Sequence, residues 1–451
     1  MKSLPTILAL TMLSLSTSAA MAQTKYDSGL IPNPVILLPD ATATSLVVLL
    51  SDSAGWGTVE QKEAERLQGN GSIVIGIDTP AYLTALSKDD GDCIYMISDI
   101  EDLAHQTERN SGNTAYLPPI VAGIGGGGAL ALAMLAQTPQ ATMGQTLAID
   151  PKAGIPLKQQ LCTPAEKSAS GDGMIYGLTD GALPDPATVV FSPVATADGR
   201  KHVESLLAKH PDIDIRETND TAAVALPGLL DEFIAAGNVA QPLGMPLDVL
   251  EVSAPTHDTM AVVYSGDGGW RDLDRQVAGF LQQQGIPVVG VDSLKYFWSA
   301  KTPQQTADDL AKIIRVYEKR WNVHHILLVG YSFGADVLPA TYNRLPDHLR
   351  AKVAQISLMA LSHQVDYEIS VTGWLGATGD GAGGDPVTDI KLIDANLIQC
   401  FYGSDEEEDA CRDLKASHID TTEIDGGHHF DGDYEKLTAS IVAGLVKRLG
   451  G

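Results

Sequence analysis

In the second half of the chain apolar positions alternate between two periods. Residues 261–265 are a short, mostly apolar run, and beyond a glycine-rich turn Leu273, Val277, Phe280 and Leu281 fall at i, i+4, i+7 and i+8 before Gly285. This predicts a buried strand followed by an amphipathic helix. Residues 286–291 predict a second strand. Thr302 and Pro303 then read as the N-cap and first residue of a helix that sets Ala307, Leu310, Ile314 and Tyr317 on one face. Residues 325–329 predict a third strand. Strands alternating with such helices predict a mostly parallel sheet covered on both faces, with functional groups beyond the strand C-termini.

The first half repeats this pattern. Ser51-Asp52-Ser53-Ala54-Gly55-Trp56 is echoed by Ser265-Gly266-Asp267-Gly268-Gly269-Trp270, an offset of 214 residues. The same offset carries Gly76-Ile77-Asp78-Thr79 with Tyr82 onto Gly290-Val291-Asp292-Ser293 with Tyr296, and residues 35–38 onto 249–252. Agreement at three separated places predicts two related α/β domains, 23–240 and 245–451, divided in the Gly- and Pro-bearing stretch 237–246. The length of 451 residues suits two large units of this kind.

Charge narrows the partners. Lys plus Arg total 30 against 57 for Asp plus Glu, a net charge of −27, which opposes phosphate-tracking contacts with DNA or RNA and favours a cationic small molecule or head group. The N-terminus adds a compartment. Lys2, an apolar run over residues 4–15 too short to span a bilayer, and Ala20-Met21-Ala22 have the form of a removable signal peptide, residues 1–22. A periplasmic location follows for a Gram-negative host. The four cysteines allow three pairings; one bridge per half, Cys93 with Cys162 and Cys400 with Cys411, is the economical choice for an oxidising compartment.

The third strand runs into Gly330-Tyr331-Ser332-Phe333-Gly334, the G-x-S-x-G pattern in which flanking glycines permit a sharp strand-to-helix turn that lifts the serine oxygen clear of the sheet. A serine nucleophile needs a base. Gly426-Gly427-His428-His429-Phe430-Asp431 follows the last expected strand, and the reading favours His428 over His429. An acidic run, residues 403–409, follows the preceding strand; Asp405, nearest the strand end, is the favoured acid and Glu406 the second. A metal held by His428, His429, Asp431 and Asp433 is the lesser alternative, and the favoured chemistry needs neither metal nor cofactor. The turn at Gly266 and Asp267 is expected to offer a backbone N–H to an oxyanion, with a second from Phe333. Asp267, Asp336, Trp270 and Tyr331 are candidates for substrate contact, although Trp270 also reads as core. Tyr296-Phe297-Trp298 and Trp374-Leu375 are candidates for touching a bilayer interface. In the first half Gly125 stands where Ser332 does, and no histidine follows near residues 218–220, so that domain reads as a degenerate copy without catalysis.

The runs at 330–339, 265–270 and 426–434 resemble the VirJ/AcvB family of exported bacterial proteins, and the two-domain layout resembles its longer, AcvB-like form. The resemblance implies two tandem α/β-hydrolase-like domains and a periplasmic hydrolase that cleaves the aminoacyl ester of aminoacyl-phosphatidylglycerol, chiefly the lysyl ester, at the outer face of the inner membrane. It places the nucleophile on Ser332 and the base on the 428/429 pair. The competing expectations are an exported assembly or secretion-support factor that uses the fold as a scaffold, and a carboxylesterase or thioesterase of other substrate.

Overall fold

The computed structural model describes residues 26–140, 142–171, 173–237, 241–369 and 381–450. The proposed signal segment and the Trp374-Leu375 pair lie outside them. The first half contains β1 (Val35–Leu37), β2 (Ser45–Leu50), β3 (Ser72–Ile77), β4 (Ile120–Ile124), β5 (Gln145–Ile149), β6 (Lys167–Ser170), β7 (Gly173–Tyr176), β8 (Ala187–Phe191) and β9 (Asp214–Glu217). The second contains β10 (Leu247–Leu250), β11 (Thr259–Tyr264), β12 (Val288–Val291), β13 (His325–Tyr331), β14 (Val353–Met359), β15 (Ile398–Gly403) and β16 (Asp420–Ile424).

Two seven-stranded sheets result, ordered β1-β3-β2-β4-β5-β8-β9 and β10-β12-β11-β13-β14-β15-β16. The orders are the same. In each sheet the first strand is antiparallel to its neighbour and the others run parallel, the arrangement of an α/β-hydrolase sheet. The repeat is therefore structural, with one slip: Val35 pairs with Gly76 but Asp248, not Val249, pairs with the matching Gly290. Antiparallel β6 and β7 form a separate hairpin within the first domain.

Both faces of the second sheet are buried, which is why its strands read as continuous apolar runs rather than alternating ones. Val262, Tyr264 and Val289 pack on one face, and Ala261, Val263 and Val288 on the other. Each of these valines contributes about 1.5–3 kcal/mol by leaving water. The helix Pro303–Trp321 starts where the sequence places it: Thr302 Oγ1 accepts from the Gln305 N–H at 3.2 Å, and Gln305 Oε1 accepts from the Thr302 N–H at 2.8 Å.

Trp270 is a core residue, 4% exposed, and its indole lies where any side chain at Gly290 would stand: a Cβ there would meet the ring at 2.3 Å. Trp56 covers Gly76 in the same way. Packing thus accounts for this repeated pair and removes Trp270 from the candidates for substrate contact. Tyr296, Phe297 and Trp298 are likewise buried, at 5% exposure or less, which overturns their reading as a bilayer contact.

Trp298 instead meets the first domain. The helix Ile97–Ser111 turns Glu101, His105 and Arg109 toward the second domain at successive i, i+4 positions. Glu101 pairs with Arg271, the His105 ring lies 5.5 Å from that of Trp298, and the Arg109 guanidinium stacks 3.9 Å from the Trp298 ring centre. Burial pushes His105 down to about 3, so it is neutral in this contact. Both expected disulfides are present, Cys93–Cys162 and Cys400–Cys411. Among the described residues no helix is long and apolar enough to cross a membrane.

Candidate active site

β11 lies between β12 and β13, so the chain leaves its C-terminal end in one direction and returns on the other side. The crevice at such a reversal is where open parallel sheets place their ligands. Into it project the turn after β11 and the elbow after β13. Ser332 sits between β13 and the helix Phe333–Asn343 with φ 50° and ψ −121°, a conformation that costs a residue with a Cβ about 1–3 kcal/mol. The flanking glycines are sterically required: a Cβ on Gly330 would lie 2.5 Å from the Gly334 carbonyl oxygen, and one on Gly334 would lie 2.3 Å from that of Tyr264. The Ser332 N–H donates to the Met359 carbonyl at 2.8 Å, which fixes the elbow to β14.

Ser332 Oγ lies 3.0 Å from His428 Nε2. The neighbouring His429 points elsewhere, with Nδ1 3.0 Å from the Tyr331 hydroxyl. Tyr331 is 6% exposed, packs beneath both imidazoles and is not among the residues lining the cavity, so it supports the histidines rather than facing a substrate. Burial holds His428 below the usual histidine value, opposed in part by the charge of Glu406. The imidazole is then neutral and able to accept a proton at neutral pH.

The carboxylate facing His428 is Glu406, with Oε1 3.9 Å from Nδ1. Asp405, the favoured acid of the sequence reading, is exposed, and its Oδ1 accepts from the Ser404 hydroxyl at 3.2 Å. The reason is local: the Asp405 N–H donates to the Gly426 carbonyl, which commits that residue to the loop's backbone bridge and leaves the next side chain to reach the histidine. The acid loop is fastened from below. Arg412 donates to the carbonyl oxygens of Glu406 at 2.5 Å, Ser404 at 2.6 Å and Gly403 at 3.1 Å, and the Cys400–Cys411 bridge ties the loop's two ends. Arg412 escaped the sequence reading, since an arginine that binds main-chain oxygens leaves no side-chain pattern.

The degenerate half displays what the turn and the elbow can do together. Gly125 holds the place of Ser332 with nearly the same backbone, φ 56° and ψ −107°. There the N–H groups of Gly126 and Ser53, the counterparts of Phe333 and Asp267, both donate to one oxygen, Asp52 Oδ1, at 2.7 and 2.6 Å. Two backbone donors converging on one oxyanion form the electrostatic device of acyl transfer. In the second half the counterpart of Asp52 is Gly266, which has no carboxylate to fill that position.

A cavity of about 690 Å³ opens over Ser332 and His428. Nine carboxylates line it, Asp267, Asp336 and Glu406 among them, and among the described residues it has no lysine or arginine. Asp336 is buried and pushed up to about 8 by that burial, while its carboxylate accepts from the Ser362 N–H at 2.8 Å. It holds the loop after β14 as well as lining the cavity. Asp433 caps the helix Tyr434–Arg448 by accepting from the Lys436 N–H at 3.2 Å, and among the described residues no group of three or more potential ligands is disposed to hold a metal ion. A hydroxyl beside a neutral imidazole, on an elbow whose first-domain counterpart presents two convergent N–H donors, can perform nucleophilic acyl transfer.

Residues 258–449 match the family model described as bacterial virulence protein VirJ. No curated protein sequence matches the chain. Among solved structures it is similar to an alpha-beta serine hydrolase homologue from Coxiella burnetii, at 18% identity over 44% of this chain and 89% of that chain, with a TM-score of 0.31. It is also similar to Est1E from Butyrivibrio proteoclasticus, at 13% identity over 47% of this chain and 98% of that one, with a TM-score of 0.33. A Pyrobaculum calidifontis esterase is similar at 16% identity over 43% of this chain and 78% of its own, with a TM-score of 0.31. The match spans the parallel strands β11 to β16, the elbow serine and His428, so the second domain is the part of the chain that is similar to the VirJ family.

Proposed function

We propose that this chain is an exported serine ester hydrolase whose second domain cleaves the aminoacyl ester of aminoacyl-phosphatidylglycerol, the lysyl ester above all. The observation that carries this reading is the 3.0 Å contact between Ser332 Oγ and His428 Nε2 at the mouth of a cavity lined by carboxylates. An aminoacyl ester bears an ammonium beside its carbonyl, and a lysyl ester bears two. Exposed Asp267 and the acidic rim formed by Glu407 and Glu408 supply the opposite charge. Asp336 contributes less to that attraction, because burial keeps it largely protonated at neutral pH.

Ser332 Oγ attacks the ester carbonyl as its proton passes to His428 Nε2, and the tetrahedral oxyanion is held by the Phe333 and Asp267 N–H groups. Glu406 stabilises the imidazolium. The intermediate collapses with cleavage of the ester C–O bond; the phosphatidylglycerol hydroxyl takes the proton from His428, and an aminoacyl-serine remains. Water then attacks the acyl carbon, gives its proton to His428 and releases the amino acid as Ser332 recovers its hydrogen.

The signal-peptide pattern of residues 1–22 and the two disulfides support export to the periplasm, where this lipid head group is reached from the outer face of the inner membrane. Purified chain incubated with lysyl-phosphatidylglycerol should release lysine and phosphatidylglycerol, and the Ser332→Ala variant should release neither. Hydrolysis of simple carboxylic esters without release of lysine would shift the assignment to a general carboxylesterase, and full complementation of a deletion strain by Ser332→Ala would favour the scaffold role.

A further inference from the structure

The first domain keeps a cavity of about 550 Å³ at the place where its twin holds the catalytic one, and the charge of that cavity is reversed. The elbow fixes the equivalence: Gly125 donates to the Ile149 carbonyl at 2.8 Å as Ser332 does to that of Met359, so Lys152 stands in the place of Ser362 and Ala129 in that of Asp336. Among the described residues Lys152 is the charged side chain of the lining, and no carboxylate faces the space. Lys152 is seated on the vestigial elbow. Its N–H donates to the Gly125 carbonyl at 3.2 Å, and its Nζ donates to Ser53 Oγ at 2.6 Å.

A second observation points to a ligand. Thr79 lines the same cavity at 1% exposure, and its hydroxyl has no hydrogen-bond partner. Its counterpart Ser293 donates to the Ser265 carbonyl at 2.7 Å, so the unpartnered hydroxyl is particular to the first domain. Buried hydroxyls are seldom left without a partner unless something else supplies one. The remaining wall is largely aliphatic: Leu83, Ile155, and Met174 and Ile175 from the β6–β7 hairpin, with Ile155 bridged to Met174 by two backbone hydrogen bonds of 3.0 Å. Asp52, whose carboxylate fills the vestigial oxyanion position, is engaged by the Gly126 and Ser53 N–H groups and is not part of this lining.

We infer that the first domain binds an amphiphilic anion, a phosphate or carboxylate on a short aliphatic body. Its charged end meets Lys152 and the Ser53 and Thr79 hydroxyls, and its chain lies against Leu83, Ile155, Met174 and Ile175. The site is independent of the reaction proposed for the second domain, whose carboxylate-lined cavity repels the same ligands.

The test is calorimetric titration of the full chain with four probes: hexyl phosphate, hexanoate, inorganic phosphate and hexyltrimethylammonium. One saturable site is expected for hexyl phosphate, for hexanoate or for both, with tighter binding of the first pointing to a lipid phosphate as the natural source and of the second to a fatty acid. Lys152→Gln, and separately Ile175→Trp, which fills the cavity and spares the lysine, should each weaken that binding by about tenfold or more while ester hydrolysis and the melting temperature are kept. The inference is overturned if neither amphiphilic anion binds at millimolar concentration, or if Lys152→Gln binds as the parent does. It is also overturned if inorganic phosphate or hexyltrimethylammonium binds as tightly as hexyl phosphate.

Discussion

Glu101 of the first domain and Arg271 of the second form an ion pair buried between the domains, and Arg271 directly follows the Trp270 that ends the turn bearing Asp267. The side chains are 8% and 19% exposed, so the pair is little screened by solvent. A surface the sequence assigns to the non-catalytic half thus holds the base of the turn that carries Asp267, the proposed oxyanion donor.

Replacing Glu101 with Gln should therefore lower both stability and turnover. Removing one partner of a buried pair costs about 3 kcal/mol, which melting curves would register directly. If the pair positions the turn, kcat should fall by about tenfold with KM little changed, because an oxyanion donor acts in the transition state rather than on bound substrate. A loss of stability with kcat intact at a temperature well below melting would show that the contact joins the domains and nothing more.

Ser332→Gly reproduces the residue found at the first domain's elbow. Glycine adopts φ 50° without the clash a Cβ meets, so this variant should be inactive yet more stable than Ser332→Ala by about 1 kcal/mol. Equal melting temperatures for the two variants would mean that the elbow holds no strain.

Glu406→Gln should reduce kcat by about a hundredfold or more, through loss of the charge that favours the imidazolium, whereas Asp405→Asn should leave it within about twofold. His428→Ala should abolish turnover and His429→Ala should act mildly through Tyr331. Steady-state kinetics on the four variants would check this, and a larger effect at Asp405 than at Glu406 would require the loop to rearrange on binding.

The pH profile follows from the environment of His428. The reaction needs the neutral imidazole, and burial lowers the pKa below the ordinary 6.5. Half-protonation then falls below that value, so the rate should decline on the acid side with a midpoint below pH 6.5. A midpoint above 6.5 would show that the carboxylates around the site outweigh burial.

The sequence by itself determined the parts of this protein that depend on neighbours in the chain. Unbroken apolar runs marked strands buried on both faces, and Thr302 with Pro303 marked a helix start. Gly330 and Gly334 marked a turn that only glycine permits, and the 214-residue echo marked the duplication that the two sheet orders repeat. Ser332 and His428 were legible because their loops carry glycine signatures. Tertiary structure decided what depends on direction. Residues 403–409 hold five carboxylates, and only the bridge from the Asp405 N–H to Gly426 and the Arg412 bonds to loop carbonyls determine that Glu406 turns toward the imidazole. The same holds for Trp270, Tyr331 and Trp298, aromatic residues beside a site whose burial is set by Gly290, the histidine pair and the first domain. Spacing records which residues are near one another along the chain, whereas the aim of a side chain is fixed by hydrogen bonds and packing between segments that meet only when the sheet is built.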